Sequence, residues 1–239
     1  MSDWKAKRFW KEATVEQIDE AWTVRLDGRP VKTPAKRALL VPTRPLATAI
    51  AEEWQAQEGE IRPHTMPVTK TANAAIDKVA VQHAEVADML AAYGDSDLLC
   101  YRADSPAALV ERQSAQWDPL LDWAHDALGA RLLPRAGIMH RPQDPQALAI
   151  LSRETHALDA FRLAAFHDLV SLSGSLVIGF AAARDARPAE ALWELSRLDE
   201  NWQAEQWGDD EEALAQAEIK RAAFLHAKRM FALAEGTVA

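Results

Sequence analysis

The spacing of apolar residues changes once along this chain, and that change constrains the fold more than any other feature. Trp22-Thr23-Val24-Arg25-Leu26 alternates apolar and polar at period two, the pattern of a half-buried strand. Asp27-Gly28 follows, a dipeptide that tolerates the positive φ angles a two-residue hairpin demands, and Arg29 to Thr33 begins the return strand. Phe9 to Ile18 is expected to supply a strand in front, and Leu39-Leu40-Val41, between Pro34 and Pro42, a short one behind. Thr43 then stands as a helix N-cap before Leu46, Ala47, Ile50, Ala51 and Trp54, a stripe at helical spacing. From about residue 70 the chain is alanine-rich, and helices are expected over 73–93, 105–128, 144–158, 160–182, 188–207 and 209–233. Gly129 falls just past one helix end and Pro188 in the first turn of another, the usual asymmetry of helix termini. Strands first and helices afterwards predict an α+β fold, with a β-rich N-terminal domain over 1–72 and a larger all-helical domain over 73–239.

Composition narrows the function classes. At 239 residues, 49% of them apolar, the chain has ample material for a core. A net charge of -9 argues against nucleic acid and against anionic lipid, whose phosphates need clustered Lys and Arg. The lone cysteine, Cys100, excludes an intramolecular disulfide and sits in the apolar run Leu98-Leu99-Cys100-Tyr101, where it reads as a small buried hydrophobe. The first residues, Met1-Ser2-Asp3-Trp4-Lys5, carry no apolar signal core and no Arg- and Ser-rich transit pattern, so a cytoplasmic location is expected. The longest uncharged run, Leu169 to Ala183, is too short to span a membrane and reads as a central buried helix, its small residues allowing close helix approach.

Groups for chemistry are sparse. The nine glycines form neither a phosphate-cradling loop nor a dinucleotide fingerprint, and the histidines share no helix face, so no cofactor and no metal is expected. Asp95 and Asp97 read as residues that close the turn at Gly94 and cap the next segment. The enzymatic alternative has Asp95, Asp97 and His140 converging as an acid/base set in a cleft between the domains. Asp209-Asp210-Glu211-Glu212 places carboxylates at the positive end of the last helix dipole.

Tryptophan is the unusual residue here, with nine copies. Trp54, Trp117 and Trp123 fall on apolar stripes and are expected to be structural. Trp202 and Trp207 stand in polar company, Trp202-Gln203-Ala204-Glu205-Gln206-Trp207, and read either as interface anchors or as core residues whose indole hydrogen-bonds at the edge of the fold. On the same predicted helix, Leu192, Leu195, Leu198 and Trp202 form an apolar stripe that Asp199 shares. Such a carboxylate either lies at the rim, pairs with an arginine such as Arg197, or projects from a surface meant for a partner.

Seven segments, in order over most of the chain, resemble the bacterial and mitochondrial assembly chaperones of the F-type ATP synthase alpha subunit. They are Lys7-Arg8-Phe9-Trp10, Leu26 to Pro34, Glu53-Trp54-Gln55-Ala56-Gln57, Met66-Pro67-Val68-Thr69, Asp97 to Arg102, Trp117 to Trp123, and Ser196 to Gln203 continuing to Trp207-Gly208. The resemblance implies a β-rich domain followed by a helical one, and a chain that binds unassembled alpha without hydrolysing nucleotide; a composition able to fold unaided adds the expectation of a monomer. It implies an important acidic residue at Asp199 and an important tryptophan at Trp54. Taken with the polar company of Trp202 and Trp207, this makes Asp199, Glu200, Trp202, Gln203, Glu205 and Trp207 the candidate partner-binding set. The chain departs from the family after Gly208. There a Glu-Trp-Ala-His-Asp run is usual and Glu211-Glu212-Ala213-Leu214-Ala215 stands instead, so no role is carried onto Glu212 or Leu214.

Overall fold

The computed structural model describes residues 7–137, 139–208 and 210–237. In chain order they form β1 (Ala13–Ile18), β2 (Ala21–Leu26), β3 (Arg29–Pro30), α1 (Arg44–Gln55), α2 (Pro67–Ala74), α3 (His83–Ala91), β4 (Tyr101–Arg102) and α4 (Ala107–Leu128). There follow β5 (Arg135–Ala136), α5 (Pro145–His156), α6 (Ala160–Ser173), α7 (Leu176–Ala183), α8 (Ala189–Ser196), α9 (Leu198–Trp207) and α10 (Glu211–Glu235). The predicted α+β class holds: a small N-terminal sheet precedes a mainly helical remainder.

The chain divides into two compact units. The first comprises residues up to His83, Asp159–Ala165 and the chain from Arg229 on; the second comprises Ala84–Leu158 and Phe166–Lys228. A single cut after residue 72 leaves out the two later stretches of the first unit. The Thr43 hydroxyl shows how one of them is held, since it donates to the Leu233 carbonyl while capping the Leu46 N–H of α1.

In the first unit β1, β2 and β3 form an antiparallel meander, and the turn between β2 and β3 is the expected one, with Asp27 and Gly28 both at positive φ. The Asp27 carboxylate accepts the Lys11 and Glu12 N–H groups, which hold it below the usual carboxylate range. Leu39-Leu40-Val41 is not a strand; Val41 makes only an isolated bridge to Trp22, because Pro42 and the α1 cap end the pairing. The helix expected over 73–93 is interrupted. Residues Ala75–Val79 form one wide π turn, which brings the Asp77 carboxylate to the Thr33 hydroxyl at 2.7 Å and the Ala35 N–H at 3.0 Å. Segments that carry the resemblance noted above pack on one another here. Glu53 caps α2 through the N–H groups of Val68 and Thr69, both at 2.7 Å, and the Arg8 guanidinium donates to the Gln55 and Gln57 carbonyls.

The second unit is helical apart from the two-residue parallel pair β4–β5, which the sequence did not announce. Its centre is α7, buried over its whole length as the uncharged run predicted. At Gly179 a Cβ would lie 2.6 Å from Val170 Cγ2 and 3.2 Å from the Phe166 ring, so only glycine permits this approach of α6 to α7. The expected helix over 160–182 breaks at Gly174, which takes φ +70, and Ser175 then caps α7 by accepting the Ile178 N–H. Asp97 joins this break to the turn Leu98–Cys100. It is fully buried and accepts the Leu99 N–H (3.0 Å), the Ser175 hydroxyl (2.7 Å) and the Val177 N–H (3.0 Å). Burial pushes its carboxyl up to about 6, and those hydrogen bonds oppose the rise. The neighbouring Cys100 thiol is also buried, and its pKa is raised by desolvation first and by the Asp97 charge second.

Candidate functional site

The helix expected over 188–207 is two helices. α8 ends at Ser196, and α9 starts at Leu198 after Arg197, whose backbone leaves the helical region at φ -105, ψ 11. No Gly or Pro marks the break; its partners come from α4. The fully buried Trp117 donates its indole N–H to the Leu195 carbonyl at 2.9 Å, and the buried Gln113 donates from Nε2 to Asp199 Oδ1 at 2.7 Å. Gln113 is itself fixed, because its Oε1 accepts the Ala103 N–H at 2.8 Å. Asp199 is therefore half-buried and paired with a glutamine, not with Arg197, which instead bonds Glu200 at 2.7 Å and lies over the Trp193 ring.

The six candidate partner residues of α9 divide between two faces. Asp199, Trp202 and Glu205, at steps of three, meet α4: the Arg112 guanidinium lies 4.7 Å above the Trp202 ring and bonds Glu205 at 2.8 Å. That bond holds the Glu205 carboxyl below the usual range and raises the Arg112 pKa. Glu200, Gln203 and Trp207 turn the other way, into a groove of about 550 Å³ between α9 and the start of α10. Trp207 is 80% exposed, and on α10 Leu214 is 52% and Ile219 62% exposed. Over residues 211–220 of α10 every side chain but Ala217 is exposed, so nearly three turns of helix present most of their surface to solvent. Arg112 and Gln113 were not legible as functional neighbours from the sequence, since their role exists only once α4 lies beside α9.

Of the three tryptophans expected to be structural, Trp117 is fully buried, whereas Trp54 and Trp123 are half-buried. Trp54 meets Trp10 edge-on at 5.2 Å, and neither indole N–H has a hydrogen-bond partner among the described residues. Asp95, Asp97 and His140 do not converge. Asp95 pairs with His140 at 3.2 Å near the surface, while Asp97 is sealed among backbone donors and Ser175. Among the described residues no group of three or more His, Cys, Asp or Glu is arranged to hold a metal ion, and no helix is long and apolar enough to cross a membrane.

Exposed aromatic and aliphatic side chains beside a charged groove are the features that interaction surfaces of chaperones share. The comparisons with known proteins agree with that class. A family profile described as ATP12 chaperone protein matches residues 7–125. The structure is similar to the crystal structure of Atp12 from Paracoccus denitrificans, at 50% identity and TM-score 0.94, covering 97% of this chain and 100% of that one. An aspartate-to-lysine variant of the Paracoccus protein matches equally, at TM-score 0.95 and 49% identity over 98% of this chain and 100% of that one. The mitochondrial protein atp12 of Schizosaccharomyces pombe is 28% identical over 219 residues, which cover 87% of this chain and 75% of the relative. The chain belongs to the ATP12 family of chaperones.

The Gln113–Asp199 bond yields a first expectation. Asp199→Lys should lower stability by about 1–3 kcal/mol, because the buried Gln113 amide loses its acceptor, while Asp199→Asn keeps an acceptor oxygen and changes little. Thermal melts of both variants check this; an unchanged melting temperature for the lysine variant would show that the bond carries no weight.

Proposed function

We propose that this chain is an ATP-independent chaperone that holds the unassembled alpha subunit of the F-type ATP synthase and keeps it from aggregating until it meets beta. The observation that carries the reading is the exposure of Trp207, Leu214 and Ile219 on two adjacent helices of a family chaperone. An unassembled subunit displays apolar faces that aggregate, and a holdase needs only a matching surface that the final partner can displace. α9 is the contact helix in this reading. Glu200, Gln203 and Trp207 reach alpha, while Asp199, Trp202 and Glu205 secure the helix against α4. The protein works as a cytoplasmic monomer and performs no bond chemistry, in keeping with glycines that form no phosphate loop.

Light scattering of alpha refolding from denaturant, with and without this protein, tests the proposal. Equimolar protein is expected to suppress most of the scattering with no nucleotide present. Undiminished scattering, or suppression that requires ATP, would overturn it.

A further inference from the structure

The groove between α9 and α10 says more about its occupant than that it is apolar. Its apolar lining is Trp193, Ala204, Trp207, Ala213, Leu214 and Ala217, and the three alanines leave room between the larger side chains for another backbone to approach closely. The charged lining is unbalanced: Glu194, Glu200, Asp210 and Glu218 face only Arg197 and Arg221. Both arginines are already used within the groove, Arg197 by Glu200 at 2.7 Å and Arg221 by Glu218 at 3.1 Å. Among the described residues Glu194 bonds the Asn201 amide, at 3.3 Å, and Asp210 caps α10. Neither carboxylate has a cation partner among the described residues, and the chain as a whole carries -9. α9 has ten residues, and the exposed part of α10 is of similar length, so the walls run for about 15 Å.

We infer that this groove docks one short amphipathic helix of the held alpha subunit, apolar along one stripe and carrying Lys or Arg beside it. The inference rests on the chaperone reading above and sharpens it. A helix of about ten residues matches the length of the walls, and an apolar stripe at i, i+3, i+4 and i+7 lies on Trp207, Leu214 and the three alanines. Its basic residues meet Glu194 and Asp210. The contact residues are therefore those of the groove face and of α10, including Leu214 where the chain departs from its family. Asp199, Trp202 and Glu205 act behind α9 by fixing it to α4.

Two experiments with the full chain and purified alpha test this. A photoreactive benzoylphenylalanine at position 214 is expected to crosslink to alpha, in a peptide with helical apolar spacing and flanking Lys or Arg. Ala217→Lys, which fills the groove and adds a positive charge, is expected to weaken alpha binding at least tenfold with an unchanged melting temperature. Glu194→Lys should weaken it several-fold and flatten its salt dependence. Wild-type protein that fails to hold alpha at all would take down the chaperone reading and this one with it. Protein that holds alpha normally while Ala217→Lys binds as tightly as wild type overturns the groove alone. Crosslinks that fall on a second copy of this chain, or on an acidic or strand-patterned peptide of alpha, overturn the assigned occupant.

Discussion

Asp97→Ala is expected to cost about 2–4 kcal/mol of stability and Asp97→Asn less, although Asp97 does not line the groove between α9 and α10. Alanine leaves the Ser175 hydroxyl and the Leu99 and Val177 N–H groups without their acceptor, and each buried unsatisfied donor costs about 1–3 kcal/mol. Relief of the buried charge offsets part of that loss, because the carboxylate itself is strained by desolvation. Asparagine keeps the shape and one acceptor oxygen but turns an amide donor toward a backbone donor. The pH dependence separates the two effects. The folded value, about 6, lies above the ordinary aspartate value of 3.8, so the folded state holds the proton more tightly. This group's contribution is therefore fully present below the unfolded value and is lost as pH rises through about 6, by on the order of 3 kcal/mol. Asp27 and Glu205, whose values are depressed, give the opposite slope at lower pH, where their contribution is lost as they protonate. Urea titrations across pH 4–7 on wild type and Asp97→Asn isolate the difference. A variant with the same pH slope as wild type would show that Asp97 is not the titrating group.

Trp117→Ala should be the more damaging change, at about 3–5 kcal/mol, the usual cost of truncating a buried aromatic. Trp117 is fully buried, lies 5.3 Å beneath the Arg102 guanidinium and bonds the Leu195 carbonyl. Arg102 in turn bonds Asp118 at 2.8 Å and the Leu99 carbonyl at 2.7 Å. Removing the indole therefore opens a cavity and frees the end of α8 together. Trp117→Phe fills most of the space and forfeits chiefly the hydrogen bond, for a further expectation of about 1 kcal/mol beyond the packing difference. If both variants melt like wild type, the indole does not bind α8 to α4 in solution.

Much of this was legible in the sequence where the cause is local. Asp27-Gly28 marked the hairpin, Thr43 the start of α1, and Gly129 the end of α4, each because a turn or a terminus restricts which residue fits. The uncharged run over 169–183 marked the buried centre, but both its glycines were read as packing residues, whereas only Gly179 is one and Gly174 is a true break. The division of α8 from α9 at Arg197 has no local signal at all. It follows from Trp117 and Gln113, which lie 78 and 86 residues from the groups they bind. Asp199 was singled out as an anomaly on an apolar stripe. The stripe was drawn on a continuous helix, however, and the break redirects the carboxylate to a glutamine that periodicity cannot name. In the same way, six candidates on one helix gave no hint that three look toward α4 and three toward a groove.

The sealed environment of Cys100 has a practical consequence. A thiol reacts through its thiolate, and a buried thiol whose pKa is pushed up supplies almost none at neutral pH. To maleimides and other alkylating reagents the folded protein should behave as though it contained no sulfhydryl. Leu214→Cys would then carry the single reactive position of the chain. A fluorophore attached there would report occupancy of the groove without any need to remove the native cysteine from the core.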